Sequence, residues 1–376
     1  MNALASSFSP GIPRRTLSAW SSPRGDLQTR HLESIRDELR ARKMLQAPID
    51  VERSYHAAHV RFDTDDGRAR IQFVKANGLG EALHLTHDGL LDFCGDALPA
   101  GWTYRTVKAL VDAGDKGRKL AGVNVALLTQ GNEQVRTFRT IKMRDGDNIV
   151  RAVRAVVSQG YAAYDNLDLV EDLLATPDFR DLPVLSYHET DRTMRLRFLL
   201  DGSEPTLDKP VPIVEAWNSE TGRRSAGLSY GIWKLICTNG LAHYDRSASY
   251  RWRHYGDPSR IRRGISSALE EIGARTSGML VEYDNALEVA IDDAAAWLEE
   301  TLGGRISAEQ VARSVTALSD ETTTPGGLLA SVIDAVTLAA QEETSIDAQY
   351  DMEREAHYAL RIGLQRASEG KLTAHA

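Results

Sequence analysis

The chain switches between two hydrophobic periods, and the switches outline its elements. From Leu27 to Leu45, apolar residues at Leu32, Ile35, Leu39 and Leu45 share one helical face until Pro48 ends the run. From Val51 the period becomes two. Tyr55–Phe62, Arg70–Val74, Ala82–Thr86, Val123–Thr129 and Val135–Met143 read as strands, divided by Asp-Asp-Gly, Asn-Gly, Gly-Asn and Arg-Asp-Gly turns. A short helix is expected over Tyr104–Ala113. Asn148–Ser158, with Ile149, Val153, Val156 and Val157 inward, reads as another helix, as does Leu167–Leu174. Extended segments return at Val184–Tyr187, Thr193–Leu199, Val211–Asn218 and Gly227–Cys237. Ser259–Leu302 then reads as one amphipathic helix, because Ile261, Ile265, Leu269, Ile272, Leu280, Tyr283, Leu287, Ile291, Ala294 and Leu298 keep near-3.6 spacing. Its length would be roughly 60 Å at ~1.5 Å per residue, with Gly264, Gly273 and Gly278 as places to bend. A Ser307/Gln310 capping-box pattern, then Leu328–Leu338 and Ile346–Leu364, continue the helical tail.

These elements predict an α+β fold: a turn-rich antiparallel sheet with packed helices, followed by a long helix and a helical C-terminal region. The expected division is a disordered basic arm over 1–26, an α+β core over 27–258 and an acidic helical region over 259–376, packing on the core or bridging from it. The arm follows from Pro10, Pro13, Pro23 and scattered serines, which interrupt any periodicity.

Composition changes this picture mainly through charge. With 42% hydrophobic and 26% charged residues, 376 residues suffice for one or two ordinary cores. No apolar run approaches the ~20 residues of a membrane helix, and Met1–Gly25 lacks the apolar stretch of a signal peptide, so a bacterial cytoplasmic location with no membrane partner is expected. The net charge of −8 hides an asymmetry: from Ile265 onward, with Glu270 and Glu271 included, 7 Lys/Arg face 20 Asp/Glu, a net of −13, which leaves +5 for the rest. The first part can attract polyanions and the second repels them. Opposite-charge contact between copies would give a homo-oligomer.

Little in the chain points to small-molecule chemistry. Cys94 and Cys237 are too few and too distant for a disulfide scaffold or a multi-cysteine zinc site. Gly114-Asp-Lys-Gly-Arg-Lys119 lacks the spacing of a phosphate-binding loop, and no Gly-x-Gly-x-x-Gly follows a strand, so neither ATP nor a dinucleotide is expected. His56/His59 and His84/His87 fall in strand or turn segments, where residues three apart point to opposite faces, and His188-Glu189 lacks a second His. Cys237 near His243 has no visible orienting partner for acyl chemistry. The expectation is no catalytic residue, no metal and no cofactor.

Three blocks carry a family resemblance. Arg151-Ala-Val-Arg-Ala-Val-Val-Ser158 runs on through Tyr161, Asp165 and Asn166; Asn218-Ser-Glu-Thr-Gly222 precedes Leu235-Ile-Cys-Thr-Asn-Gly-Leu241; and Asp334-Ala-Val-Thr337 sits in a late helix. In order and spacing, over about residues 50–365, they resemble the phage- and plasmid-associated family catalogued as domain of unknown function 932. That resemblance implies a mobile-element setting and carries no activity or catalytic residue with it.

Two basic stretches are the candidate contact surface. Tyr244 to Arg263 interleaves Tyr250, Trp252 and Tyr255 with Arg251, Arg253, Arg260, Arg262 and Arg263. On a strand, Tyr250 and Trp252 share one face and Arg251 and Arg253 the other. Exposed aromatics there would stack bases while Arg neutralises phosphate; equally, the aromatics could be core and the arginines a solvated face. The second group is Arg136, Arg139, Lys142 and Arg144 on and beyond a strand, with Arg151 and Arg154 following; ordinary surface solvation is the competing explanation. Asn218–Gly222 and Asn239-Gly240 read as turns, with a ligand-lining role left open. The function these features suggest is nucleic-acid binding, single-stranded DNA favoured, in recombination or replication of a mobile element. The competing class is a scaffold that binds a host protein.

Overall fold

Why each sequence pattern becomes a given element is clearest where the expected element and the observed one differ. The computed structural model describes residues 31–62, 69–75, 78–99, 102–145, 147–190, 192–200, 210–236, 239–321, 327–343 and 346–372, with the side chains of 235–248 outside that description. The expected basic arm over 1–26 lies outside the described residues, and so does Cys237.

Helix α1 (Leu32–Gln46) buries Leu32, Ile35 and Leu39 and ends at Ala47, whose φ of 38° closes the last turn ahead of Pro48. The first sheet has strand order β1-β6-β7-β5-β3-β2, from β1 (Ile49–Ser54), β2 (Ala58–Phe62), β3 (Ala69–Lys75), β5 (Leu83–Leu85), β6 (Val135–Asp145) and β7 (Asn148–Ser158), with the short β4 (Gly78–Leu79) on β3. Among the described strand pairings of this sheet, only β5–β7 is parallel. Helices α2 (His87–Ala97), α3 (Tyr104–Asp112) and α4 (Asp115–Thr129) supply partners for a core built on Tyr55, Phe73, Phe93, Val107, Val125, Phe138 and Val153.

Two segments here correct the sequence reading. Asn148–Ser158 is strand β7 rather than a helix: a central strand is buried on both faces, so its apolar positions lose the alternation that marks a strand, while its β-branched Val and Ile favour extended backbone. Val123–Thr129 is the end of helix α4 rather than a strand, with Gly117, Ala121, Val125 and Thr129 buried at four-residue intervals; exposed Val123 and Leu127 blurred that period.

The second sheet is an antiparallel meander, β12-β11-β10-β9-β8, from β8 (Val184–Glu189), β9 (Met194–Leu199), β10 (Val211–Asn218), β11 (Ala226–Ile236) and β12 (Asn239–Trp252). It is preceded by α5 (Asn166–Ala175) and α6 (Pro177–Arg180) and followed by α7 (Ser259–Glu270), α8 (Ile272–Ala286), α9 (Ala294–Leu302), α10 (Ala308–Glu321), α11 (Leu329–Gln341) and α12 (Ile346–Ser368). One large core joins these helices to Met194, Leu196, Phe198, Val214, Ala216, Leu228 and Tyr230 of the sheet. The expected single helix over Ser259–Leu302 is three. It breaks at Glu271, and again where β13 (Ala290–Ile291) pairs with β14 (Gly327–Leu328) and Asp293 caps α9 by accepting from the Ala296 amide. The apolar period survives across both breaks because all three pieces cover the same core. The Ser307/Gln310 capping box is present, each residue bonding the other's backbone N–H. The fold is therefore α+β, as the patterning implied, and no described helix is long and apolar enough to cross a membrane.

Sheet-face alternation fails in one instructive place. Arg195 and Arg197 alternate with Met194, Leu196 and Phe198, the signature of a half-solvated strand, yet both arginines are only 1% exposed. Helix α12 covers that face: Arg197 bonds the Glu353 carboxylate, Arg195 bonds Glu215 across the sheet, and both guanidiniums stack on the Tyr350 ring at 4.1–4.3 Å. Burial pushes the Glu353 carboxyl up to about 7 against the pull of Arg197.

Candidate functional site

The two basic stretches meet opposite fates, and a β-bulge explains the first. The β6–β7 register shifts between Arg139 and Thr140, so that Arg139 pairs Ala155 while Thr140 pairs Val153 and Arg154 is left over. The bulge turns both arginines into a polar seam where the first sheet meets α1, α5 and the β10–β11 turn. Arg139, 3% exposed, reaches Asp165 at 2.8 Å, Asp50 at 3.3 Å and the Tyr161 hydroxyl at 3.3 Å, and donates to the Glu220 carbonyl. Arg154 pairs the Glu220 carboxylate at 2.6 Å. The other oxygen of Glu220 accepts from the Asn166 amide at 2.8 Å, and the Asn166 side chain bridges Glu189 and Asn218 at 3.0 Å each. Arg42 and Lys43 of α1 complete the set on Glu189 and Asp165.

Four cations thus face four carboxylates, and the seam is neutral within itself. Burial works against the charge on Arg139, and Asp165 with Tyr161 and Asp50 outweighs it, so the guanidinium stays protonated. Burial likewise works to raise Asp165, but Arg139 and Lys43 hold it below its usual range. His254 stacks on Tyr161 with rings 5.2 Å apart and bonds the Ala162 carbonyl, and burial lowers its pKa. Gly222, at φ +71°, closes the turn in a backbone conformation that strains any larger residue, and its Cβ position lies a tight 3.2 Å from the Tyr161 ring. The turn expected at Asn218–Gly222 is thus also a joint. Two of the blocks behind the family resemblance, Arg151–Asn166 and Asn218–Gly222, converge here.

A second balanced set lines the outer side. Asp88, Asp92 and Asp96, four residues apart on α2, pair Arg192 (2.7 Å), Arg223 (2.5 Å) and Arg136 (2.5 Å) respectively. Between them lies an open cavity of about 340 Å³, bounded by Asp92, Asp96, Arg136, Arg223 and Ser158, with Leu91 and Val156 as apolar walls. Burial drives the Asp92 carboxyl up to about 6 despite Arg223 and the Val156 amide.

Of the first basic group, then, Arg136, Arg139 and Arg154 are already neutralised, and Arg151 donates to Thr140 at 3.0 Å and to the Ala47 carbonyl. Lys142 and Arg144 are exposed, but the register places them against Arg151 and Ile149, toward the far end of the hairpin from Ser158. Six to eight strand residues, roughly 20–26 Å, separate them from Arg136.

The second group keeps its charge. Tyr250 and Trp252 lie on the apolar face as stacked rings 6.2 Å apart, packed on the core, and Trp252 occupies the space a side chain at Gly264 would need. Both rings are partly buried against the core. Arg262 pairs Asp168 at 3.1 Å and Asp172 at 3.6 Å. Arg251, Arg253, Arg260 and Arg263 are exposed and have no ion-pair partner among the described residues. Beside them Tyr255 is 66% exposed and lies over Gly160, and the Gly256 amide donates to the Gly160 carbonyl at 2.8 Å. The side chains of Tyr244 and Arg246 lie outside the described residues.

Among the described residues no group of three or more His, Cys, Asp or Glu has the arrangement of a metal site. His84 is buried, and His87 bonds the Tyr104 hydroxyl at 3.0 Å. The Cys94 thiol is buried and pushed up to about 12, a core residue rather than a nucleophile. No family model, no curated protein and no solved structure matches the chain.

Proposed function

We propose that this protein binds single-stranded nucleic acid through the corner formed by the end of β12, the 253–257 loop and the first turns of α7. One observation carries the reading: four exposed guanidiniums with no ion-pair partner among the described residues, Arg251, Arg253, Arg260 and Arg263, lie in the same short stretch as one exposed aromatic ring, Tyr255. Unpaired cations release phosphate counterions on binding, and a solvent-facing ring offers a stacking surface that only an unpaired base can use. Recombination or replication of a mobile element is the setting expected from the sequence resemblance of the Arg151–Asn166 and Asn218–Leu241 blocks.

The test is a fluorescence-anisotropy titration of labelled single- and double-stranded oligonucleotides over a range of salt. Four phosphate contacts at about 0.7 log unit each set a slope near −3 at most for the single strand. Binding of that salt dependence, weaker for duplex, is the expected result; no anisotropy change at low salt eliminates the reading. A second reading, a scaffold for a host protein, is favoured by the exposed apolar stripe Leu120, Val123 and Leu127 on α4. A stable protein partner recovered after nuclease treatment, lost on Val123→Glu, would favour it.

A further inference from the structure

The cavity on α2 and the basic corner share one loop. Ser158 forms part of the cavity rim, and two residues on, Gly160 carries Tyr255 and accepts the Gly256 amide. Residues 158–161 form a turn closed by the Tyr161 amide on the Ser158 carbonyl at 3.0 Å, so Ser158 and Gly160 lie less than about 7 Å apart, within the spacing of successive nucleotides in an extended strand. A strand stacked on Tyr255 therefore has the cavity within reach of its next base.

The cavity wall is unusual in offering acceptors and donors side by side. Asp92 presents a carboxylate of which Arg223 and the Val156 amide use only part, since an ionised carboxylate has about four lone-pair sites. The guanidiniums of Arg136, largely committed to Asp96, Gln134 and Val135, and of Arg223 line the same cavity, and Leu91 and Val156 are its apolar lining residues. The volume of about 340 Å³ is at the lower end for ligand pockets, which suits a single heterocycle rather than a whole cofactor. Guanine alone among the bases presents two adjacent N–H donors beside a carbonyl acceptor, matching a carboxylate next to a guanidinium. We propose that this cavity is a guanine subsite, filled by one base splayed out of a strand held on the Tyr255 corner; the assignment rests on the nucleic-acid reading above.

The experiment compares labelled oligothymidylate with the same strand carrying one central guanine. The expected result is about tenfold tighter binding of the guanine strand, the discrimination of one good bidentate contact. Asp92→Asn should erase that preference and leave oligothymidylate affinity unchanged. A second variant guards against misfolding: a Cβ at Gly95, on the cavity rim in helix α2, meets nothing within 4 Å, so Gly95→Leu adds bulk at the rim with no clash at its Cβ. It too should abolish the preference alone. Equal affinity for both strands, or a guanine preference that survives both variants, overturns the subsite while leaving the corner standing. Absence of salt-dependent oligothymidylate binding overturns both.

Discussion

The arginines of the β6–β7 hairpin and those of the β12–α7 corner look alike in sequence and have opposite roles. In the hairpin, a bulge turns Arg139 and Arg154 inward onto Asp165 and Glu220, and a helix brings Asp96 to Arg136. At the corner, the local acid Asp257 is bonded by the Ser259 amide and hydroxyl and feels Arg263 and Arg260 only at longer range, with no ion pair to either. Positive charge in a sequence indicates binding capacity only where the fold supplies no counter-ion, and that depends on contacts far apart along the chain.

Four measurements test the contrast, from the largest effect downward. Arg139→Ala leaves buried Asp165 with only the weaker Lys43 partner and should cost about 3–5 kcal/mol in denaturant unfolding, whereas Arg251→Ala should stay within about 0.5 kcal/mol. A loss below about 1 kcal/mol at Arg139 would show that the seam is wetter than its burial implies. Next, Arg251→Ala with Arg253→Ala should weaken oligonucleotide binding at least tenfold and flatten the salt slope by about 1.4, at unchanged unfolding midpoint; an unaltered slope would move the contact elsewhere. Tyr255→Ala should cost about 1–3 kcal/mol in single-strand affinity, with Tyr255→Trp retaining it.

The smallest effect concerns pH. Asp92 titrates at about 6 in the fold, above its ordinary value, so the native state holds the extra proton between roughly pH 4 and 6, and this group's contribution to stability rises as pH falls through that window. The groups facing it are Arg223, Asp88 and Arg192, with the Val156 amide. Relative to Asp92→Asn, the wild type should therefore gain on the order of 1 kcal/mol from pH 7.5 to 4.5 once solvent screening is allowed for, read from paired thermal melts. A wild type that loses ground on acidification would reverse the assignment.

How much was legible depended on whether local patterning or distant partners decided the outcome. Strand β10 is where the run Val211–Asn218 placed it, and the Ser307/Gln310 box was readable because capping is a four-residue affair. Strand β7 was not, since burial on both faces removes alternation, and the Ser259–Leu302 period concealed two breaks because packing, not continuity, preserved it. Tyr250, Trp252 and the arginine face followed from parity, but nothing local indicated which arginines had partners. Arg139 is joined to Asp165 and Glu220 from 26 and 81 residues away. The run Met194-Arg-Leu-Arg-Phe-Leu199 gave a false signal of its own, for its apparent water-facing side lies under a helix that starts at Ile346.

That covering helix alters how the charge asymmetry should be understood. Glu353 and Asp351 answer Arg197 and Arg224, so part of the acidity that makes the last third of the chain look like a repulsive polyanion is the internal complement of its basic portion. A fragment trimmed ahead of Ile346 would carry two uncovered interior guanidiniums. It would gain spurious affinity for any polyanion, and truncation is consequently the wrong tool for testing the proposed nucleic-acid surface.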